Sequence, residues 1–166
     1  MLFRSRGLRV EAEIAFDHPV IGRQALALDV RPDTFRREIA RARTFGFMRD
    51  VAKLWSGGYA LGASLENTIV VADNRVLNPG GLRFRDEFVR HKMLDAVGDL
   101  ALAGSPFLGA YRTVHGGHKL NYAVLSALMA DQSAWVLTEG EVVVPPRSYA
   151  DLPGTLLAPA FAPDIS

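Results

Sequence analysis

The chain contains no cysteine. That excludes disulfides, thiolate metal sites and cysteine nucleophiles, so any bound metal must be held by nitrogen and oxygen ligands. No apolar run is long enough to span a bilayer, and the opening Met1-Leu-Phe-Arg-Ser-Arg6 lacks the character of a signal peptide. No excess of one charge sign exists either: the net charge is +1. Acidic residues interrupt the arginines between Arg31 and Arg49, so neither nucleic acid nor an acidic membrane surface is the expected main partner. Internal repeats and inter-domain linkers are also missing. What remains is a chain of 166 residues, 49% apolar and 22% charged. That is one domain's worth, long enough to bury a core, and a cytoplasmic globular protein is expected.

Strand patterns open the chain. Leu8–Phe16 alternates apolar and polar residues as a half-buried strand does, and it stops at Asp17-His18-Pro19. A second strand over Ala25–Val30 follows a Gly-containing turn, which suggests a hairpin. Pro32-Asp33 then opens a short helix through Phe35, Ile39 and Ala42, with Asp33 placed as N-cap. Phe47, Val51 and Leu54 give helical spacing up to Gly57-Gly58, and Thr68–Ala72 reads as a short strand. A helix over 86–99, a strand over Phe107–Val114 and a helix over His118–Ala130 follow. In the last of these Leu120, Val124, Leu125 and Leu128 form the apolar side. Trp135–Leu137 and Val142–Val144 suggest a final strand or hairpin before a tail rich in Pro and Ala. Strands in runs with two main helices late favour α+β. The expected architecture is a two-layer sandwich of a mixed sheet with two helices on one face. A small βαβ-like insertion at about 47–71 completes a domain over 1–145, with 146–166 as the tail.

Chemistry concentrates in Asp86-Glu-Phe-Val-Arg-His-Lys-Met-Leu-Asp-Ala-Val-Gly-Asp99. On one helix, residues four apart share a face. His91, Asp95 and Asp99 therefore form a stripe with Lys92 beside it, interleaved with Val89, Met93, Leu94, Val97 and Leu100. Imidazole and carboxylate one turn apart can reach a single Zn²⁺. By spacing alone, a solvated helical ion pair satisfies the same pattern, and two ligands fall short of the usual three at a catalytic zinc.

Other candidates are each ambiguous by themselves. His118 follows Gly116-Gly117 at a helix N-terminus, where the macrodipole disfavours its protonated form and a nearby carboxylate would favour it. Such a histidine can do acid–base chemistry near neutral pH or merely cap the helix. Thr44 sits beside Phe45 and Phe47 at an apparent helix-to-loop junction, where a core-anchoring aromatic pair is the simpler reading. Phe16 ends the first strand at an ordinary turn. Met48, Val51, Leu65 and Val70 can line an apolar channel or a satellite core.

Together the motifs are more specific. The blocks Ala40–Asp50, Val76-Leu-Asn78, Asp86–Leu100 and Gly117-His-Lys-Leu-Asn121 occur in one order. The chain from about Leu8 to Trp135 thereby resembles the UDP-3-O-acyl-N-acetylglucosamine deacetylases of Gram-negative lipid A biosynthesis. It resembles their second half only. The family has two similar α+β domains, and the first carries a third zinc ligand and a general-base Glu that have no counterpart here. Asn121 is followed by Tyr122, where the family commonly has a second Asn.

This resemblance implies zinc-dependent hydrolysis of an acetamide. His91 and Asp95 become zinc ligands. His118 becomes the group that stabilises the oxyanion and protonates the leaving amine, with Asp99 keeping it charged, and Thr44 becomes an oxyanion donor. Lys92 is implied to face the substrate diphosphate, Phe16 and Phe45 to hold the nucleotide-sugar, and Met48, Val51, Leu65 and Val70 to line the acyl passage. The implied partners are UDP-3-O-acyl-N-acetylglucosamine and an N-terminal domain of the same enzyme, without which the chain is expected to be inactive. A non-catalytic nucleotide-sugar or acyl-binding module and an inactive fragment are the alternatives.

Overall fold

The computed structural model describes residues 7–139. The chain divides into two compact units, Met1–Trp135 and Val136–Ser166, and the elements below belong to the first. Strands β1 (Leu8–Ala15) and β2 (Arg23–Val30) pair antiparallel from Leu8↔Val30 to Ala15↔Arg23. The reversal is closed by Gly22, whose φ of +57° suits a residue without a Cβ, and by Gly22 N–H donating to the His18 carbonyl at 2.8 Å. On β1 the apolar positions Val10, Ala12 and Ile14 are buried while Arg9, Glu11 and Glu13 face outward, the alternation a one-sided sheet requires. Strand β5 (Gly109–Val114) lies parallel to β1, giving a mixed sheet of order β2-β1-β5.

The expected short helix is wider than its spacing suggests. Helix α1 (Pro32–Thr34) runs directly into a π-helical turn over Phe35–Ile39, closed by the Ala40 N–H donating to the Phe35 carbonyl at 2.9 Å. Arg31, not Asp33, is the N-cap. The Thr34 hydroxyl organises this start by accepting from the Arg31 N–H at 2.9 Å and donating to the Asp29 carbonyl at 2.7 Å. Asp33 falls instead in the first turn, where its charge suits the helix N-terminus.

A small βαβ unit follows. β3 (Thr44–Phe47), α2 (Met48–Ser56) and β4 (Thr68–Val71) form it, with β3 and β4 parallel and Phe45 opposite Ile69. Thr44–Phe47 is thus a strand and not a helix-to-loop junction; a parallel partner some twenty residues away lies beyond any local propensity. Asn78 staples the unit, with Nδ2 donating to the Leu65 and Thr68 carbonyls at 2.7 Å and Oδ1 accepting from Val70 N–H at 2.9 Å.

Helix α3 (Glu87–Ala101) lies against the inner face of the sheet, and its Phe88, Val89, Met93 and Ala96 meet Val10, Ala12, Ile14, Ile39, Ile69 and Val71 in one core. Helix α4 (His118–Ala130) packs on α3 through a narrow contact: only Asn121 and Leu125 are buried, and Leu120, Tyr122, Val124 and Met129 stay exposed. No strand forms over 135–137, because an apolar run becomes a strand only beside an edge that pairs with it. Val142–Val144 and the Pro/Ala-rich tail lie outside the described residues. Among the described residues no helix is long and apolar enough to cross a membrane.

Candidate functional site

The i, i+4 rows of α3 bring His91, Asp95 and Asp99 to one face, and α4 delivers His118 to the same face from its first residue. The stripe is not a row of solvated charges. Side-chain exposure is 14% for His91, 8% for Asp95 and 17% for Asp99. A carboxylate that far from water needs positive or donor groups around it. Asp95 has them: Lys92 Nζ donates to Oδ2 at 3.0 Å, His91 Nε2 lies 3.2 Å from Oδ1, and His118 Nε2 lies 3.8 Å from Oδ1.

Burial, the largest influence, pushes the His91 pKa below its ordinary value; Lys92 and His118 add to that, while Asp95 opposes it. His91 is therefore neutral at pH 7, which is the form that ligates a metal. Its Nδ1 is buried without a hydrogen-bond partner, and the Ala42 backbone beside the ring favours its protonated form without outweighing burial. With a cation between Nε2 and the Asp95 oxygen, the Nε2 lone pair would be engaged and the ring proton would sit on Nδ1. A ring whose Nδ1–H faces backbone and whose Nε2 faces a carboxylate has the arrangement of metal-bound histidines. The pair fits a divalent cation, but it is only a pair. Among the described residues no group of three or more His, Asp or Glu could hold one.

His118 is held differently. Its side chain is 71% exposed, and Nδ1 meets Asp99 Oδ2 at 2.9 Å and Oδ1 at 3.0 Å. An ionised carboxylate only accepts, so Nδ1 carries the proton and Nε2 is turned toward Asp95. The helix start beneath it depends on close approach at Gly116. A Cβ there would lie 1.9 Å from Thr113 Oγ1 and 3.2 Å from Thr113 Cβ, and Thr113 is buried. Gly116→Ala is therefore expected to destabilise the chain by about 1–3 kcal/mol through overpacking, read as a lower urea midpoint at unchanged m-value.

The aromatic candidates also gather. Phe45 stands edge-on to Phe88 at 5.1 Å, Phe16 at 5.6 Å and His91 at 6.3 Å, and Lys92 Nζ lies 5.7 Å from its ring. Thr44 opens β3 as an exposed residue, and no hydrogen bond among the described residues joins it to His91 or His118. By strand alternation, Thr44 and Val70 share the face of the small sheet opposite Phe45 and Ile69. Met48 and Leu65 are about half exposed, while Val51 and Val70 are half-buried. The four apolar candidates thus sit on one βαβ unit, with Val51 one turn beyond Met48 on α2.

Three participants are not evident from the sequence. Glu87 is fully buried and binds Arg43 through Nε at 2.9 Å, through Nη2 at 3.1 Å and through its backbone N–H at 3.0 Å. It ties the start of α3 to the residue before Thr44. Asn121 and Tyr111 form a third layer behind Asp99. A buried polar side chain inside an amphipathic helix carries no local signature, although Asn121 does lie one turn from His118 and Glu87 one turn before His91.

Comparison with known proteins gives the family. Residues 1–130 match the family model described as LpxC, UDP-3-O-acyl N-acetylglycosamine deacetylase. The chain is 57% identical over 134 residues to proteins from Brucella ovis, Brucella canis and Brucella melitensis biotype 2, each named UDP-3-O-acyl-N-acetylglucosamine deacetylase. Each match covers 80% of this chain and 47% of the relative. The chain thus spans about half the length of the curated relatives it matches. It belongs to the LpxC family of UDP-3-O-acyl N-acetylglycosamine deacetylases.

Proposed function

We propose that the chain supplies the C-terminal half of an active site that hydrolyses the acetamide of UDP-3-O-acyl-N-acetylglucosamine, releasing acetate and a free sugar amine. In the cytoplasm this reaction would commit the substrate to lipid A synthesis. One observation carries the reading: His118, braced by Asp99 at 2.9 Å, turns Nε2 toward Asp95 beside His91.

His91 and Asp95 would hold Zn²⁺, with a further ligand and the general base coming from the N-terminal half. Bound there, Zn²⁺ supplies a Lewis acid that polarises the acetamide carbonyl and acidifies water. The chain's own residues do the rest. Asp99 accepts from Nδ1 and stabilises the imidazolium, so Nε2 of His118 is the atom that donates a proton to the departing amine. The Thr44 hydroxyl would donate to the developing oxyanion once substrate is seated. Lys92, which meets Asp95 at 3.0 Å, is free to turn to the diphosphate when a cation takes over that carboxylate. Phe16 and Phe45 would hold the nucleotide-sugar against their edge-to-face pair. Met48, Val51, Leu65 and Val70 would receive the acyl chain, each buried CH₂ contributing roughly 0.8 kcal/mol.

The exposed apolar residues of α4 support a covering partner. Leu120 and Val124, one turn apart, are exposed on one side of the helix and Tyr122 and Met129 on the other, and the relatives carry as much chain again. The test mixes this chain with the separately expressed N-terminal half of a Brucella relative, supplies Zn²⁺ and measures acetate release. Either half alone should stay at background, and the mixture should turn over. A mixture that assembles yet neither binds substrate nor releases acetate overturns the reading.

A further inference from the structure

Behind Asp99 lies a polar layer that the chemistry above does not use. Asn121 is 2% exposed, one of two buried residues on a helix otherwise open to solvent. Its Nδ2 donates to Asp99 Oδ2 at 2.8 Å, and its Oδ1 accepts from the Tyr111 hydroxyl at 2.8 Å. A helix position this well buried ordinarily takes an apolar side chain; an amide there is tolerated only when its groups are bonded. The Asp99 bond also settles which way the amide faces. An inverted amide would set its oxygen against the acceptor-only Asp99 carboxylate, a repulsive pairing, whereas the Tyr111 hydroxyl can donate or accept and suits either orientation.

The same oxygen of Asp99 receives both Asn121 and His118. A carboxylate on a helix surface can rotate about its last bond, but one held from behind keeps its lone pairs aimed in a single direction. We propose that Asn121, locked by Tyr111, is a positioning residue: it fixes the Asp99 carboxylate so that His118 keeps its proton on Nδ1 and presents Nε2 toward Asp95. The run Tyr111, Asn121, Asp99, His118 then links β5 to the exposed end of α4 through three consecutive hydrogen bonds. Burial, and secondarily the Asp99 charge, hold the Tyr111 phenol above its ordinary pKa against the opposing Thr113 contact, so it remains a donor. Asn121 touches no reacting atom in this scheme. Its effect is exerted wholly through Asp99.

The proposal rests on the reading of His118 as a proton-carrying group, but its test needs no turnover. Nitrogen-15 chemical shifts of the imidazole, recorded on the metal-free chain above the histidine titration range, report which ring nitrogen holds the proton. In the wild type, His118 is expected to be mainly the Nδ1–H tautomer, with Asp99→Ala as the reference for a ring without its brace. Asn121→Ala should move the His118 shifts most of the way to that reference, so that Nε2–H becomes the larger population. Tyr111→Phe, which removes one hydroxyl from a half-buried ring, should move them part of the way. A purely structural Asn121 would lower the unfolding midpoint and leave the tautomer where it was. Wild-type tautomer populations in both variants overturn the proposal, and if Asn121→Ala does not fold, Tyr111→Phe decides alone. Failure of acetate release in the reconstituted enzyme is a separate result: it removes the catalytic reading and leaves these shifts as they are.

Discussion

Glu87→Ala is expected to cost about 3–5 kcal/mol of stability, the range for removing one partner of a buried ion pair. Glu87 is 0% exposed and Arg43 8% in their side chains, so the guanidinium left behind cannot be rehydrated without opening the structure. For a domain of ordinary stability that is a large share of the total, and the variant should show a much lower urea midpoint or fail to fold. Glu87→Gln, which keeps the volume and part of the hydrogen bonding, should fall in between. Pairing Glu87→Leu with Arg43→Met should recover little. The carboxylate also accepts from the backbone N–H groups of Arg43 and Arg83, and neither goes away with the guanidinium. Acid should reveal the same bond. Burial alone would raise the Glu87 pKa, but the Arg43 hydrogen bonds and those from the two backbone groups more than offset it, and the net value is lowered. A lowered native value means that the contribution of Glu87 is fully present above the ordinary 4.5. It is lost as pH falls through the native value. Glu87→Gln should therefore flatten the acid side of the stability profile, leaving only the other carboxylates to shape it.

This ion pair also shows where sequence reading stops. The alternation of Leu8–Ala15, the 3.6-residue period of α3 and the Gly-Gly entry to α4 are local signals, and each element forms where its pattern lies. The stripe of His91, Asp95 and Asp99 is legible for the same reason, since helical periodicity alone places them on one face. Thr44–Phe47 is different. Its four residues become a strand because Thr68–Val71 lies beside them, a pairing that no local window contains. Burial of charge is equally non-local. Glu87 looks like any first-turn acid of a helix until Arg43, forty-four residues earlier, arrives against it. Asn121 looks like a solvent-facing amide until Tyr111 and Asp99 enclose it. The exposed side of α4 shows the converse: apolar spacing at Leu120 and Val124 correctly gives a helix, but it does not say whether the surface that covers the apolar side belongs to the same chain.

His118→Ala in the reconstituted enzyme is expected to lower kcat by about 10²–10⁴-fold, the range for loss of a positioned general acid, with KM changed far less. The contrast with its neighbours gives this number its meaning. His118 and His91 both lie near Asp95 Oδ1, at 3.8 Å and 3.2 Å, so proximity does not distinguish a proton donor from a ligand. Their surroundings do. His91 is buried and kept neutral, its pKa lowered chiefly by burial, whereas His118 is exposed and bonded to a carboxylate at Nδ1. If those environments set the roles, His118→Ala should retain the wild-type zinc content while losing turnover. His91→Ala and Asp95→Ala should lose zinc and turnover together, because two ligands from this half leave no redundancy. Zinc content by elemental analysis, measured beside acetate release on the same preparations, separates the two classes. Loss of zinc in His118→Ala would transfer that histidine to the metal site, and the proton would then have to come from another group.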